Sequence, residues 1–285
     1  MILEGKCALI TGAGQGLGAE IALHFAKSGA SLILCDRSGK VFETEKKLKK
    51  EIDKCQFIKS YTCDISNVKA IDNLFEKIDL ENLPLSVLIN NAAVHGPLGK
   101  IEEIDWNEWV KAVKINILGV VYTSRKAVQK FKKINHGKII NLSGGGATTP
   151  LPGVSAYATT KAAIIRFTET LAHEVKNFNI DVNAVAPGAL KTQITENFYN
   201  AGPDKIGEKL FNEMIKVRGG GGTPLSVGAS CCVYLASSKS DGITGRLIAA
   251  QWDPWKNFEK FKKDIESTDI YTLRRIVPSD RNFDW

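Results

Sequence analysis

Long apolar runs are missing from this 285-residue chain. No stretch approaches the roughly 18 consecutive apolar residues of a membrane-crossing helix. The first strand-like run begins a few residues after Met1, which leaves no room for a secretory leader. Cysteine motifs are missing too: Cys7, Cys35, Cys55, Cys63, Cys231 and Cys232 form no CxxC pair and no metal-ligand spacing. Several lie inside apolar runs, where a reduced thiol acts as a small hydrophobe. No metal site and a cytoplasmic location are therefore the expectations. Internal repeats, low-complexity tracts and interior linkers are also absent. The net charge of +7 is not clustered, because lysines alternate with acids on polar faces such as 45–51. That pattern suits a solvated surface and argues against a nucleic-acid partner, while leaving room for an anionic small substrate.

What is present reads as a globular α/β protein. Hydrophobic residues at 44% and charged residues at 24% place the chain among ordinary folded domains. Short, β-branched apolar runs at 6–11, 31–35, 57–62, 87–90, 138–143 and 180–186 are the pattern of buried strands. Helix-length amphipathic segments at about 17–28, 40–53, 67–78, 105–132 and 157–178 alternate with them. Strict alternation predicts a doubly wound parallel sheet with right-handed crossovers, helices covering both faces. Residues 1–250 read as one domain, with 190–222 as a segment of suitable length for a substrate lid. Residues 251–285 form a C-terminal extension in which Trp252, Trp255 and Trp285 suggest packing.

The first strand runs into Thr11-Gly12-Ala13-Gly14-Gln15-Gly16-Leu17-Gly18, and an amphipathic helix follows. Glycines there let the backbone turn tightly against a diphosphate, while the helix N-terminus offers free amides and a positive dipole end. The next strand ends in Asp36. A carboxylate at that place accepts hydrogen bonds from ribose hydroxyls and repels a 2′-phosphate, which favours NAD over NADP. Arg37 beside it points the other way.

Further along, Tyr157 and Lys161 stand four apart on a predicted helix and face the same side. A phenol is a poor base at neutral pH, and a nearby ammonium favours its phenolate. Such a pair can exchange a proton with an alcohol or carbonyl oxygen while hydride moves to or from nicotinamide.

The glycines are spaced TGxxxGxG, Asn90-Asn91-Ala92-Ala93 closes the fourth strand, and Tyr157-Ala158-Thr159-Thr160-Lys161 and Pro187-Gly188 follow in order. On these motifs residues 3–250 resemble the short-chain dehydrogenase/reductase family. The resemblance implies a Rossmann-type sheet of about seven strands, a nicotinamide cofactor and a homodimer or homotetramer. It also implies roles. Thr11, Gly12, Gln15, Gly16, Leu17 and Gly18 match the phosphate turn, Asp36 and Arg37 the adenosine ribose end, and Asp64 and Ile65 the adenine contact. Asn90 and Ala92 match the end of the central strand, and Pro187, Gly188 and Thr192 the segment beside the nicotinamide. Asn116 matches an asparagine that holds a proton-relay water, with Tyr157 and Lys161 as the acid/base pair.

The family also places a substrate-orienting serine thirteen residues before the tyrosine. Here that count lands on Gly144, and Ser143 is the neighbour. Either the Gly144-Gly145-Gly146 turn brings Ser143 into place, or Gly144 truly replaces the serine. In the second case the oxygen is held by water, a glycine amide, or Thr148, Thr149 or Ser155. After Ile248 the usual short ending is replaced by a tail carrying Arg274, Arg275 and Arg281. One expectation is that this tail closes over a substrate site and supplies arginines to it; the other is that it packs for stability.

The expected activity is NAD(P)-dependent interconversion of a secondary alcohol and a ketone, with a sugar, polyol or sugar derivative as substrate. The alternatives are a 3-oxoacyl thioester reductase and a dinucleotide-binding regulatory protein with weakened catalysis.

Overall fold

The computed structural model describes residues 1–53 and 55–285. Seven strands form one sheet, β1 (Cys7–Thr11), β2 (Ser31–Asp36), β3 (Ile58–Thr62), β4 (Val87–Asn90), β5 (Gly137–Leu142), β6 (Ile180–Ala186) and β7 (Leu247–Ala249). Every pairing is parallel, in the order β3-β2-β1-β4-β5-β6-β7. Central strands covered on both faces have no polar side to show, so β1, β4 and β5 are buried along their whole length.

Helices α1 (Gly16–Lys27), α2 (Lys40–Leu48), α3 (Val68–Leu80), α4 (Trp106–Val113), α5 (Val120–Ile134) and α6 (Ser155–Val175) make the crossovers. Beyond β6 come α7 (Gln193–Ala201), α8 (Pro203–Ile206) and α9 (Glu208–Lys216), then α10 (Leu225–Ala236) and, after β7, α11 (Lys262–Ser267). Two apolar layers result. Ile21, Phe25, Leu32, Leu34 and Leu235 pack on one face of the sheet, and Ile33, Leu74, Phe75, Phe131 and Val175 on the other. A third cluster, centred on Phe198, Leu210 and Met214, lies in the 190–222 segment and packs on Tyr157.

The predicted helix at 105–132 is interrupted. Residues Lys114–Gly119 form a π-helical turn between α4 and α5, a local widening that frequently marks functional sites. Its cause is tertiary. The Asn116 side chain accepts from the Val94 amide and donates to the Val94 carbonyl, and Gly119 lies so close to Ile65 that a Cβ there would stand 2.6 Å from the Ile65 carbonyl oxygen.

The extension wraps the outer edge of the sheet. The two outward amides of β7 are both taken, Leu247 by the Tyr271 carbonyl at 2.8 Å and Ala249 by the Asp253 carboxylate at 2.7 Å. Arg246 donates to the carbonyls of Ile265, Thr268 and Ile270, which pins residues 265–270 alongside. Trp255 is buried against Tyr234 and donates to the Ala250 carbonyl, whereas Trp252 and Trp285 are exposed.

Candidate active site

The strand order reverses between β1 and β4, because β2 lies to one side of β1 and β4 to the other. The crevice at the carboxyl ends of these strands is where open α/β sheets bind ligands. The expected residues gather there, with differences in what each can touch.

The turn after β1 is built to sit tight. A Cβ on Gly18 would collide with the Gly12 carbonyl oxygen, and Asn91 locks the same turn by donating to the Thr11 and Gly12 carbonyls. The N-cap residue of α1, Gln15, makes no side-chain capping bond; its amide oxygen instead accepts from Lys40. The first amides of α1, those of Gly16, Leu17 and Gly18, thus lack the side-chain cap that would otherwise occupy them. A cradle of this shape, uncapped and closed to side chains, fits the diphosphate of a dinucleotide. Thr192 stands at the N-cap position of α7 without a side-chain capping bond and leans toward Gly16, its methyl 3.9 Å from where a Gly16 Cβ would be.

Thr11 and Asn90 are not open to a ligand. The Thr11 hydroxyl is fully buried, donates to the Ile89 carbonyl and accepts from the Asn91 and Ala92 amides. It ties β1 to the end of β4. Asn90 donates to Ser124 and Asn141 inside the sheet. Both shape the crevice from behind: the Thr11 hydroxyl is spent on protein groups, and Asn90 is buried with its amide nitrogen spent and its Oδ1 left without a protein partner. Asp36 is half-buried at the rim, accepting from the Gly14 amide at 3.2 Å and from the amide and hydroxyl of Ser38, both at 2.8 Å. Arg37 is exposed. Asp64 is exposed and accepts from the amide and hydroxyl of Ser66, while Ile65 is buried. Pro187 and Gly188 follow β6, with Gly188 closely backed by Thr223.

Tyr157 lies in the first turn of α6 and Lys161 one turn on, its Nζ 5.6 Å from the centre of the Tyr157 ring. Lys161 is almost fully buried and donates to the Leu142 carbonyl at 2.7 Å. Burial pushes the Tyr157 phenol up to about 12 and the Lys161 ammonium down to about 8. Desolvation therefore outweighs the expected help from the ammonium, whose bond to Leu142 directs it to the end of β5. Asn116 donates to Thr160 at 3.0 Å, which holds the π-helical turn against α6.

The glycine-rich stretch resolves the serine question geometrically. Ser143 is 3% exposed and its hydroxyl donates to the Lys161 carbonyl at 3.3 Å. It does not face the Tyr157 hydroxyl. Gly144 does: a Cβ there would lie 2.6 Å from the Tyr157 oxygen. Successive residues of an extended chain point to opposite sides, so the expectation for Ser143 gives way to Gly144 at the position facing the phenol. Ser155 accepts from the Trp109 indole, and Thr148 and Thr149 are exposed.

The tail does not reach the chain's own Tyr157. Arg274 is held by Asp269 and Asp280. Leu273 next to it binds Glu169 and Arg166, and Glu169 lies roughly 18 Å along α6 from Tyr157 by helical rise.

Three residues at the site went unnoticed in the sequence. His95 follows β4, and its ring meets Phe198 edge-on at 5.8 Å; Phe198 meets Tyr157 edge-on at 6.0 Å. Asn197, next to Phe198 on α7, is 2.9 Å from His95 Nε2. The position of His95 just beyond a strand end at the reversal point was the available signal; Asn197 and Phe198 carried none. Among the described residues no three His, Cys, Asp or Glu side chains come together as a metal set, and no helix is long and apolar enough to cross a membrane.

Known proteins are similar to this chain in sequence and fold. Residues 6–202 match the family described as short chain dehydrogenase. The chain is 33% identical over 251 residues to a 3-oxoacyl-(acyl-carrier-protein) reductase of Thermotoga maritima, covering 87% of this chain and 97% of the relative. It is 32% identical over 240 residues to the L-fucose dehydrogenase of Oryctolagus cuniculus, covering 83% and 80%. The crystal structure of an NAD+-bound xylitol dehydrogenase superimposes with a TM-score of 0.78 at 22% identity, over 87% of this chain and 98% of that one. With a family match over residues 6–202 and a 33% identical relative aligned along most of both chains, this chain belongs to the short-chain dehydrogenase/reductase family of oxidoreductases.

Proposed function

We propose that this oxidoreductase uses NAD to interconvert a secondary alcohol and a ketone, with a sugar, polyol or sugar derivative as substrate. The observation that carries the reading is the convergence of Tyr157, buried Lys161 and the uncapped α1 turn on one crevice. Nicotinamide, when bound, supplies the acceptor or donor of the hydride. The protein supplies the rest. Gly12, Gly16, Leu17 and Gly18 would hold the diphosphate through backbone amides, with Gln15, Ala92, Pro187, Gly188 and Thr192 beside the cofactor and Asp64 and Ile65 at its adenine end. Thr11 and Asn90 act from behind, by shaping the turn.

Tyr157 takes the carbinol proton in oxidation and returns it to the carbonyl oxygen in reduction. Its high pKa in the bare site has to fall for oxidation, and Lys161, which would also hold the nicotinamide ribose, is the ammonium near enough to supply the charge that lowers it. Asn116 supports proton relay at the π-helical turn. Ser143 positions Lys161 through its carbonyl and does not touch the substrate. Asp36 selects NAD, since its carboxylate, already accepting from Gly14 and Ser38, would repel a 2′-phosphate.

A 3-oxoacyl thioester reductase is the second reading, favoured by the Thermotoga maritima relative, which matches over nearly its full length. Steady-state turnover with NAD and NADP against polyols, sugars and a 3-oxoacyl thioester separates the two. Tyr157→Phe is expected to lower turnover about 10²–10⁴-fold and leave NAD affinity intact. Undiminished turnover in that variant would sink the reading.

A further inference from the structure

We propose that His95 and Asn197 form a subsite that receives a second hydroxyl of the substrate, so that the enzyme selects diols over simple secondary alcohols. This rests on the reading that Tyr157 marks the reacting oxygen.

The subsite is fixed relative to that oxygen. His95 and Tyr157 pack on the same ring, Phe198. Gly96, next in the chain, has φ +73, and a Cβ there would lie 2.8 Å from the Cβ of Ala156 and 3.0 Å from that of Ala112. The His95–Gly96 turn is thereby seated on the residue preceding Tyr157, in a conformation that favours glycine.

Its hydrogen-bonding character is equally definite. His95 Nδ1 meets the Gly96 carbonyl, which only accepts, so Nδ1 carries the proton and Nε2 is left as an acceptor. Nε2 takes a bond from the Asn197 amide at 2.9 Å. Burial lowers the His95 pKa, which keeps the ring neutral and Nε2 bare. Asn197 accepts from Gln193, an exposed side chain on the same helix, so the amide can swing without leaving a buried group unpaired.

An acceptor facing a donor across an openable bond is the complement of a hydroxyl, which donates to one and accepts from the other. A carbonyl would satisfy only Asn197, and an ammonium only His95. The subsite also answers a deficit at Gly144, which brings no side-chain hydroxyl to the phenol. A second anchor on the substrate replaces the orientation that such a group would give.

The test compares cyclohexanol with cyclohexane-1,2-, 1,3- and 1,4-diol under NAD-dependent oxidation in wild type, His95→Leu, Asn197→Leu and His95→Gln. In wild type at least one diol is expected to exceed cyclohexanol in kcat/KM by about a hundredfold, because the second hydroxyl anchors the reacting carbon in position, whereas cyclohexanol leaves the His95–Asn197 bond closed and is held at one point only. His95→Leu and Asn197→Leu should collapse that ratio to within about tenfold. His95→Gln, which keeps an acceptor, should restore part of it. Equal losses on diol and cyclohexanol, or no diol preference in wild type, would overturn the subsite and reduce the pair to a structural latch. Tyr157→Phe separates the two levels: if it keeps turnover, the placement of the reacting oxygen fails and the subsite with it.

Discussion

Gly144→Ala is the most informative single change. The φ of Gly144 lies outside the left-handed region, so an added methyl meets no backbone penalty and acts through contact alone. That methyl would lie 2.6 Å from the Tyr157 oxygen, where ordinary contact begins at 3.4 Å. The phenol must therefore retreat by about 0.8 Å, against Phe198, which already touches its ring. A displacement near 1 Å at a reacting atom costs on the order of 10²-fold, or about 2.7 kcal/mol of barrier. The expected result is a kcat lowered about 30- to 100-fold, with NAD affinity by calorimetry unchanged. Gly145→Ala is the control, because its Cβ would meet only Leu151 at 3.9 Å and should leave kcat near wild type. A Gly144→Ala enzyme within twofold of wild type, or an equal loss in Gly145→Ala, would refute the idea that this glycine confines the phenol.

Two further outcomes follow from the same geometry. Ser143→Ala removes a hydroxyl that bonds the Lys161 carbonyl, so thermal denaturation should show a loss of about 1 kcal/mol while kcat changes only a few-fold; a hundredfold loss would return Ser143 to the substrate. Alcohol oxidation needs Tyr157 ionised and ketone reduction needs it protonated. With the phenol pushed up to about 12 in the bare site, the initial rate of oxidation should rise with pH from 6 to 9 while reduction stays flat or falls, and an oxidation rate that declines over that range would contradict Tyr157 as the base.

The inner sheet was legible because β1, β2, β4, β5 and β6 are short apolar runs buried nearly throughout, a pattern with few other uses, whereas the edge strands β3 and β7 are partly exposed and β7 is only three residues long. Leu32-Ile33-Leu34-Cys35 and Val182-Asn183-Ala184-Val185 could scarcely be anything else in strict alternation with helices. The phosphate turn was legible because close backbone approach demands glycine, as at Gly18. The π-helical turn was not, since nothing local in Lys114–Gly119 dictates it; Val94, twenty-two residues away from Asn116, does. Ser143 and Gly144 could not be told apart by counting, because facing depends on where β5 ends. His95 was missed for a related reason: its meaning comes from Asn197 and Phe198 across 102 residues of chain, a meeting that the hydrophobic period does not encode. Arg274 looked like a substrate ligand because its pairing with both Asp269 and Asp280, five and six residues away, depends on a turn that the sequence does not announce.

The cover over β7 bears on how this protein can go wrong. A parallel edge with free amides is a template on which another chain can grow, and here Tyr271 and Asp253 occupy both outward amides. Copies of the folded chain are thus barred from joining sheet to sheet at that rim. A proteolytic nick between Asp253 and Tyr271 would undo this protection without cutting the chain at Tyr157 or the phosphate turn, so that the protein's resistance to self-association, and with it its shelf life, hangs on a short wrap of chain far along the sequence from both.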